Sequence, residues 1–170
     1  MLNNPTLLQT TNYRSDKRTI VLVHGWMESV VSNFNSVLIP ALDPAFVGWS
    51  SHPDRFDRND GQYTEVIHTN YGINGFLADL GDVDFYPNGG ISMPGCDSHA
   101  CDHARSYFYF AESITSGGFT GRQCVNYFAA ILGTCDLMPG RVQMGGLRPK
   151  IGQTGVYLLE TNASPPFSQD

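Results

Sequence analysis

The sequence predicts an α/β fold, and three observations carry that expectation. Thr19-Ile20-Val21-Leu22-Val23 is an unbroken aliphatic run that closes on His24-Gly25. Such a run suits a parallel strand covered on both faces, which loses the alternation of a half-exposed one. Behind it, Val30, Val31, Phe34, Val37, Leu38 and Ala41 recur at helical spacing, with Ser29 placed to cap the start and Pro40 near the stop. Strand and helix patterns then alternate along the chain, as they do where helices are laid on a largely parallel sheet.

The remaining elements follow in order. Residues 43–61, rich in Pro, Ser, Asp and Asn, read as loop, and Tyr63–Thr69 as a strand. Val83-Asp84-Phe85-Tyr86 is a shorter strand closed by Pro87-Asn88-Gly89-Gly90, after which a cysteine-bearing loop runs to Cys101. From His103 to Ser116, Ala104, Tyr107, Phe108, Ala111 and Ile114 share one helical face. That face is expected to be buried, with Asp102 as the cap and Gly117-Gly118 as the stop. The stretch from Cys124 to Gly155 reads as irregular, and Val156–Thr161 as a late strand.

Composition narrows the class. The 170 residues make one domain the expectation, and 41% hydrophobic against 15% charged residues is a globular balance. Ten Lys and Arg against sixteen Asp and Glu give a net charge of −6, which argues against nucleic-acid binding, because neutralising phosphates needs clustered cations. No apolar run approaches the roughly 20 residues that span a bilayer. Met1-Leu2-Asn3-Asn4-Pro5 shows no apolar core of a signal peptide. Four cysteines, Cys96, Cys101, Cys124 and Cys135, suggest two disulfides in an oxidising compartment. Their three connectivities stay open at this point.

Five places carry residues suited to chemistry. His24-Gly25-Trp26 ends a buried strand, where a backbone N–H can serve an oxyanion, or where the glycine simply turns the chain. Asp43 precedes Pro44, a turn-initiating pair that also presents a carboxylate. His103 sits in the first helical turn, where the helix dipole disfavours the imidazolium and keeps a neutral base ready. Asp57 and Asp60 offer hard oxygen ligands three residues apart, suited to calcium or to a solvated loop. Cys96, His99, Cys101 and His103 lie within eight residues and could form a zinc-binding module, against which stands the plainer pairing of the cysteines.

Taken together, a series of short motifs resembles the pancreatic-lipase-like family, particularly its insect lipase and phospholipase A1 members. They are Asn3-Asn4-Pro5, Val21–Trp26, Leu42-Asp43-Pro44-Ala45, Val66-Ile67-His68-Thr69, Val83–Gly90, Pro94-Gly95-Cys96, Cys101–Tyr107 and Ala111-Glu112-Ser113-Ile114, all in family order. The resemblance implies a lipid-ester hydrolase, extracellular, that needs no cofactor for its reaction. It implies Asp43 and His103 as triad members and the Trp26 N–H as an oxyanion donor. It implies a lid loop closed by Cys96–Cys101, a second disulfide Cys124–Cys135, and a structural calcium on Arg55 (through its carbonyl), Asp57 and Asp60, with His52 near the place of a further glutamate ligand. The lid holds only four residues between its cysteines, and in the family short lids go with phospholipase-like specificity.

The nucleophile breaks the pattern. A serine on this fold stands in G-x-S-x-G between strand and helix, and no serine here has glycine at both flanking positions; Ser50 and Ser92 come nearest. Only 17 residues separate Gly25 from Asp43, where a further strand and helix need about 30 more, the size of a βαβ unit. The expectation is therefore an incomplete α/β-hydrolase fold, a single shortened domain over 1–170. It would be internally deleted near residues 40–42, without a C-terminal accessory domain, inactive, and keeping a short disulfide-closed lid. A non-catalytic lipid-binding or yolk-like relative is the second expectation, with the row Tyr107–Phe110 for lipid contact.

Overall fold

A computed structural model describes residues 39–170. The Thr19–Val23 run, the Trp26 turn and the helical pattern before residue 39 lie outside the described residues. The helical pattern expected to reach Ala41 ends differently. Ile39–Leu42 is a strand, β1, paired in parallel with β2, Thr64–Ile67. Pro40 sits within β1, which has β2 as its one partner among the described residues, and an edge is where a strand tolerates a residue without an N–H.

β2 pairs in parallel with β3, Val83–Pro87, and β3 in parallel with β6, Gly155–Leu159. The sheet continues through β4, Phe119–Cys124, and β5, Arg141–Met144, both antiparallel to their neighbours, giving the order β1-β2-β3-β6-β4-β5. Every residue of β2 and β3 is buried, as expected of parallel strands covered on both faces. The strand register lines up Leu42, Ile67, Phe85 and Tyr157 across the sheet. Those side chains meet Tyr109, Phe110, Phe119, Met144 and Phe167 in one core. Behind the sheet, Ala41 and Val66 pack on Phe56, Phe76 and Leu80.

The helix expected from His103 begins four residues sooner: α1 spans His99–Ser116. Its cap is Ser98, whose hydroxyl accepts from Cys101 N, while Asp102 instead accepts from Met93 N at 2.7 Å. The face expected to be buried is the exposed one. Asp102, Ser106, Tyr109, Phe110 and Ser113 face the protein, and Tyr107, Phe108 and Ile114 face outward. Small serines explain the inversion. The Ser106 and Ser113 hydroxyls donate to the carbonyls of His103 and Phe110 three residues back. Their polarity is thus hidden inside the helix, and they leave space for the Tyr109 and Phe110 rings. Tyr109 OH finds Thr161 Oγ1 at 2.9 Å.

The stretch read as irregular holds a second helix, α2, Tyr127–Ile131, capped by Asn126, and strand β5. Cys124–Cys135 brackets α2, and Cys96–Cys101 closes the loop before α1. The zinc expectation for Cys96, His99, Cys101 and His103 is thereby overturned, since both thiolates it needs are joined to each other. Buried Glu65 on β2 ties down the β5–β6 connection. It accepts from Tyr63 OH, Gly145 N and Lys150 Nζ, and Lys150 also donates to the Gly145 carbonyl. The chain's end is strapped across α1. The Glu112 carboxylate accepts from Phe167 N and Ser168 N, and Arg105 lies over the Phe167 ring at 4.6 Å. In the Asn162-Ala163-Ser164 sequon, Asn162 Nδ2 donates to the Pro166 and Ser168 carbonyls.

Candidate active site

The carboxyl ends of β1 and β2 and the first turns of α1 converge, at the strand edge where parallel sheets collect their ligands. Asp43 follows β1 directly, with its N–H on the Ile67 carbonyl at 2.8 Å. It adopts φ +51, a left-handed conformation that aspartate tolerates better than most residues. Its carboxylate is fully buried. Oδ1 accepts from Thr69 N at 2.8 Å and Asn70 N at 3.1 Å, two successive amides just beyond His68. Oδ2 accepts from His103 Nδ1 at 2.6 Å. Burial of a charge is tolerated where hydrogen bonds of this kind replace water.

Gly75 completes the pocket. A Cβ built there falls 2.1 Å from Asp43 Oδ1 and 2.5 Å from its Cγ, so the 70–75 turn passes against the carboxylate only because this residue has no side chain. Gly75 N bonds the Asn70 carbonyl at 2.9 Å. Sequence reasoning missed Gly75 and the Thr69 and Asn70 amides. The one signal was the His68-Thr69 pair at the end of a buried strand. His68, also buried, bridges Asp84 Oδ1 (2.9 Å from Nε2) and the Phe76 carbonyl (3.2 Å from Nδ1), and stacks on Tyr86. It therefore fixes the segment that carries the two amides.

His103 is held at its backbone as well. Its carbonyl accepts from Thr69 Oγ1 and Ser106 Oγ. With Nδ1–H given to Asp43, the tautomer is set and Nε2 presents its lone pair, the state a general base needs. Among the described residues no serine hydroxyl bonds the His103 ring. The structure joins Asp43 to His103 and Cys96 to Cys101 and Cys124 to Cys135, and leaves Trp26 outside the described residues.

The Arg55–Asp60 turn is closed by its own side chains. Asp57 Oδ1 accepts from Asn59 N and Nδ2, and Asp60 Oδ2 accepts from Asp57 N, a reciprocal cap on the 3-10 turn Arg58–Asp60. His52 Nδ1 accepts from Asp54 N. Among the described residues, no group of three or more His, Cys, Asp or Glu side chains gathers to hold a metal ion. The turn offers two carboxylates and one carbonyl, and calcium takes six to eight oxygens with waters among them. No helix among the described residues is long and apolar enough to cross a membrane.

The family model described as Lipase matches residues 36–167. Pancreatic triacylglycerol lipase of Oryctolagus cuniculus is 33% identical over 168 aligned residues, covering 77% of this chain and 36% of the relative. The Homo sapiens protein of that name is 35% identical, with the same coverage. The inactive pancreatic lipase-related protein 1 of Canis lupus familiaris is 32% identical, again over 77% and 36%. The chain spans about a third of the length of these relatives. Since the match takes in most of the chain and contains the whole Asp43–His103 site, the chain belongs to the lipase family.

Proposed function

We propose that this domain carries the acid–base half of a lipase-type hydrolysis of lipid carboxylic esters, and that the chain as it stands does not complete the reaction. The observation that carries this reading is the buried Asp43 carboxylate set by two amides on His103 Nδ1 at 2.6 Å. In such a site Nε2 takes the proton of a serine hydroxyl as it attacks the ester carbonyl. Asp43 then stabilises the imidazolium until the proton passes to the leaving alcohol. Two N–H groups hold the tetrahedral oxyanion, and Trp26 N–H is the proposed first of them. The second would follow the serine, and the sequence holds no G-x-S-x-G. The family match begins at residue 36 and β1 runs unbroken through Ile39–Leu42. Both support a break in the family's order upstream of residue 36, a little before the 40–42 junction expected from the sequence.

Without the serine no acyl-enzyme forms, and loss of a triad member costs orders of magnitude in rate. One of the relatives above is itself named inactive, which supports a non-hydrolysing member. The four-residue lid between Cys96 and Cys101 supports a phospholipase-like preference in a complete relative, and two disulfides support an exported protein. A second reading, a non-catalytic lipid-binding or yolk-like homologue, is favoured by the outward-facing Tyr107 and Phe108.

The test is a fluorophosphonate probe together with p-nitrophenyl butyrate turnover on the folded chain. The expected result is no stoichiometric labelling and no turnover above that of His103→Gln. Stoichiometric labelling of any serine overturns the inactive part. A downfield Nδ1–H proton in the NMR spectrum, lost in Asp43→Asn, tests the dyad itself, and its absence from the unsubstituted protein overturns the geometry.

A further inference from the structure

The Asp43–His103 site draws on the backbone amide of Asn70, while the side chain of the same residue has no part in it so far. That side chain is fully buried. Its Nδ2 donates to the Ile91 carbonyl at 3.2 Å and meets His99 Nδ1 at 3.4 Å. Its Oδ1 accepts from Asn74 N at 3.2 Å and from Asn74 Nδ2 at 3.0 Å. The Ile91 carbonyl can only accept and the Asn74 N–H can only donate, so these partners fix which end of the amide is which. The Asn70 carbonyl takes Gly75 N, the glycine that lies against the Asp43 carboxylate. One residue thus holds the 70–75 turn, the loop after β3 and the start of α1.

These contacts close a circuit around the site. Asn70 N donates to Asp43 Oδ1, and Asn70 Nδ2 donates to the Ile91 carbonyl. Two residues beyond Ile91, Met93 N donates to the buried Asp102 carboxylate at 2.7 Å. The next residue is His103, whose Nδ1 returns to Asp43 Oδ2 at 2.6 Å. Thr69 Oγ1, on the His103 carbonyl, braces the same turn of α1 from the neighbouring position. An amide of this length supplies both the donor and the acceptor that the circuit needs. A carboxylate would set an acceptor against the Ile91 carbonyl, and an alanine would leave that carbonyl and the Asn74 N–H without their partner.

We propose that Asn70 is a positioning residue whose side chain, acting through Asp43, sets the direction from which the carboxylate meets His103 Nδ1. The proposal rests on the reading of Asp43 and His103 as the acid–base pair. With the side-chain amide in place, the 70–75 turn and the first turns of α1 are fixed relative to one another, and Asp43 Oδ1 receives Asn70 N along a set line. Without it, the Asn70 N–H stays in the chain but loses that direction. Oδ1 then keeps Thr69 N alone, and the carboxylate can turn off His103.

The His103 Nδ1–H resonance reads this on the whole chain, through its position downfield of the amides and its rate of exchange with water. Asn70→Ala should raise the exchange rate by about ten-fold, the equivalent of one hydrogen bond, and move the resonance upfield. Asn70→Asp keeps the size and shape of the side chain but not the donor, and should show the same change. Cys124→Ala with Cys135→Ala lies at β4, beyond β3 and β6 in the sheet order, and should leave the resonance in place although stability falls. That control separates positioning from general loosening. Where Asn70→Ala does not fold, Asn74→Ala removes one donor to Oδ1 from a half-buried position and should speed exchange by about three-fold. An unchanged resonance and exchange rate in either folded Asn70 variant, or in Asn74→Ala used in their place, overturns the proposal. An equal change in the cysteine variant does the same. A resonance missing from the unsubstituted protein overturns the acid–base pair itself, and the proposal with it, and so is told apart from a failure of Asn70 alone.

Discussion

Gly75→Ala is the sharpest perturbation of the candidate site, because it adds one methyl group where the structure has no room. The new Cβ would stand 2.1 Å from Asp43 Oδ1, 2.5 Å from Cγ and 2.6 Å from Oδ2. Ordinary contact begins near 3.4 Å, so about 1.3 Å must be recovered by movement. One way is for the carboxylate to swing off Thr69 N, Asn70 N and His103 Nδ1, breaking three hydrogen bonds to a buried charge, each worth about 1.5–3 kcal/mol. The other is for the 70–75 turn to lift, at an overpacking cost of about 1–3 kcal/mol. The chain takes the cheaper route, so the expected loss is about 2–3 kcal/mol, read as a shift in the urea midpoint. Gly117→Ala separates this steric effect from backbone strain. Its Cβ meets nothing within 4 Å and only its φ of +93 opposes a side chain, so it should cost about 1 kcal/mol. A Gly75→Ala midpoint equal to that of the unsubstituted protein would falsify the account of the pocket.

Three further outcomes follow from other parts of the molecule. Burial raises the Tyr63 hydroxyl far above the usual phenol range, with Glu65 adding to it, and burial also raises Tyr86 and Tyr109. An acid harder to ionise when folded contributes stability that is fully present below its unfolded pKa of about 10 and is lost as pH rises beyond it. Phenolate absorbance should therefore show these three titrating only together with alkaline unfolding, and their titration in a folded protein contradicts the burial. Lys150→Met leaves Glu65 charged beside Tyr63 OH and Gly145 N alone, and should cost about 3–5 kcal/mol in urea unfolding, part of it recovered by adding Glu65→Gln. Replacing Cys124 and Cys135 by alanine opens a loop with a sequence separation of 11 and should cost about 2–3 kcal/mol, while an unchanged midpoint assigns the bracket around α2 no role.

The contact between Asp43 and His103 was legible because short motifs preserve their order in the chain, and the two cysteine pairings for the same reason. The inverted face of α1 was not. Periodicity counts Tyr107, Phe108 and Ile114 as core and cannot see that serines at 106 and 113 bond their own helix and let it pack closely. β4 and β5 escaped notice because Phe119–Cys124 carries Thr, Gly, Arg and Gln, and because Arg141–Met144 alternates over only four residues. Gly75 was invisible for a different reason: its importance lies in the distance to a residue 32 positions earlier, which no local pattern encodes. The lipid-contact row Tyr107–Phe110 divides accordingly, with its first half outside and Tyr109 and Phe110 within the core.

β6 stands between β3 and β4 although it follows every other described strand along the chain. As the polypeptide leaves the ribosome, Val83–Pro87 and Phe119–Cys124 both wait with open hydrogen-bonding edges until Gly155–Leu159 emerges and fills the gap. At about 5–20 residues per second that wait lasts several seconds, a window in which neighbouring nascent chains can pair edge to edge. Shielding of those two edges until Gly155 emerges therefore guards against mispairing, and a chain cut before Gly155 leaves the described sheet in two pieces.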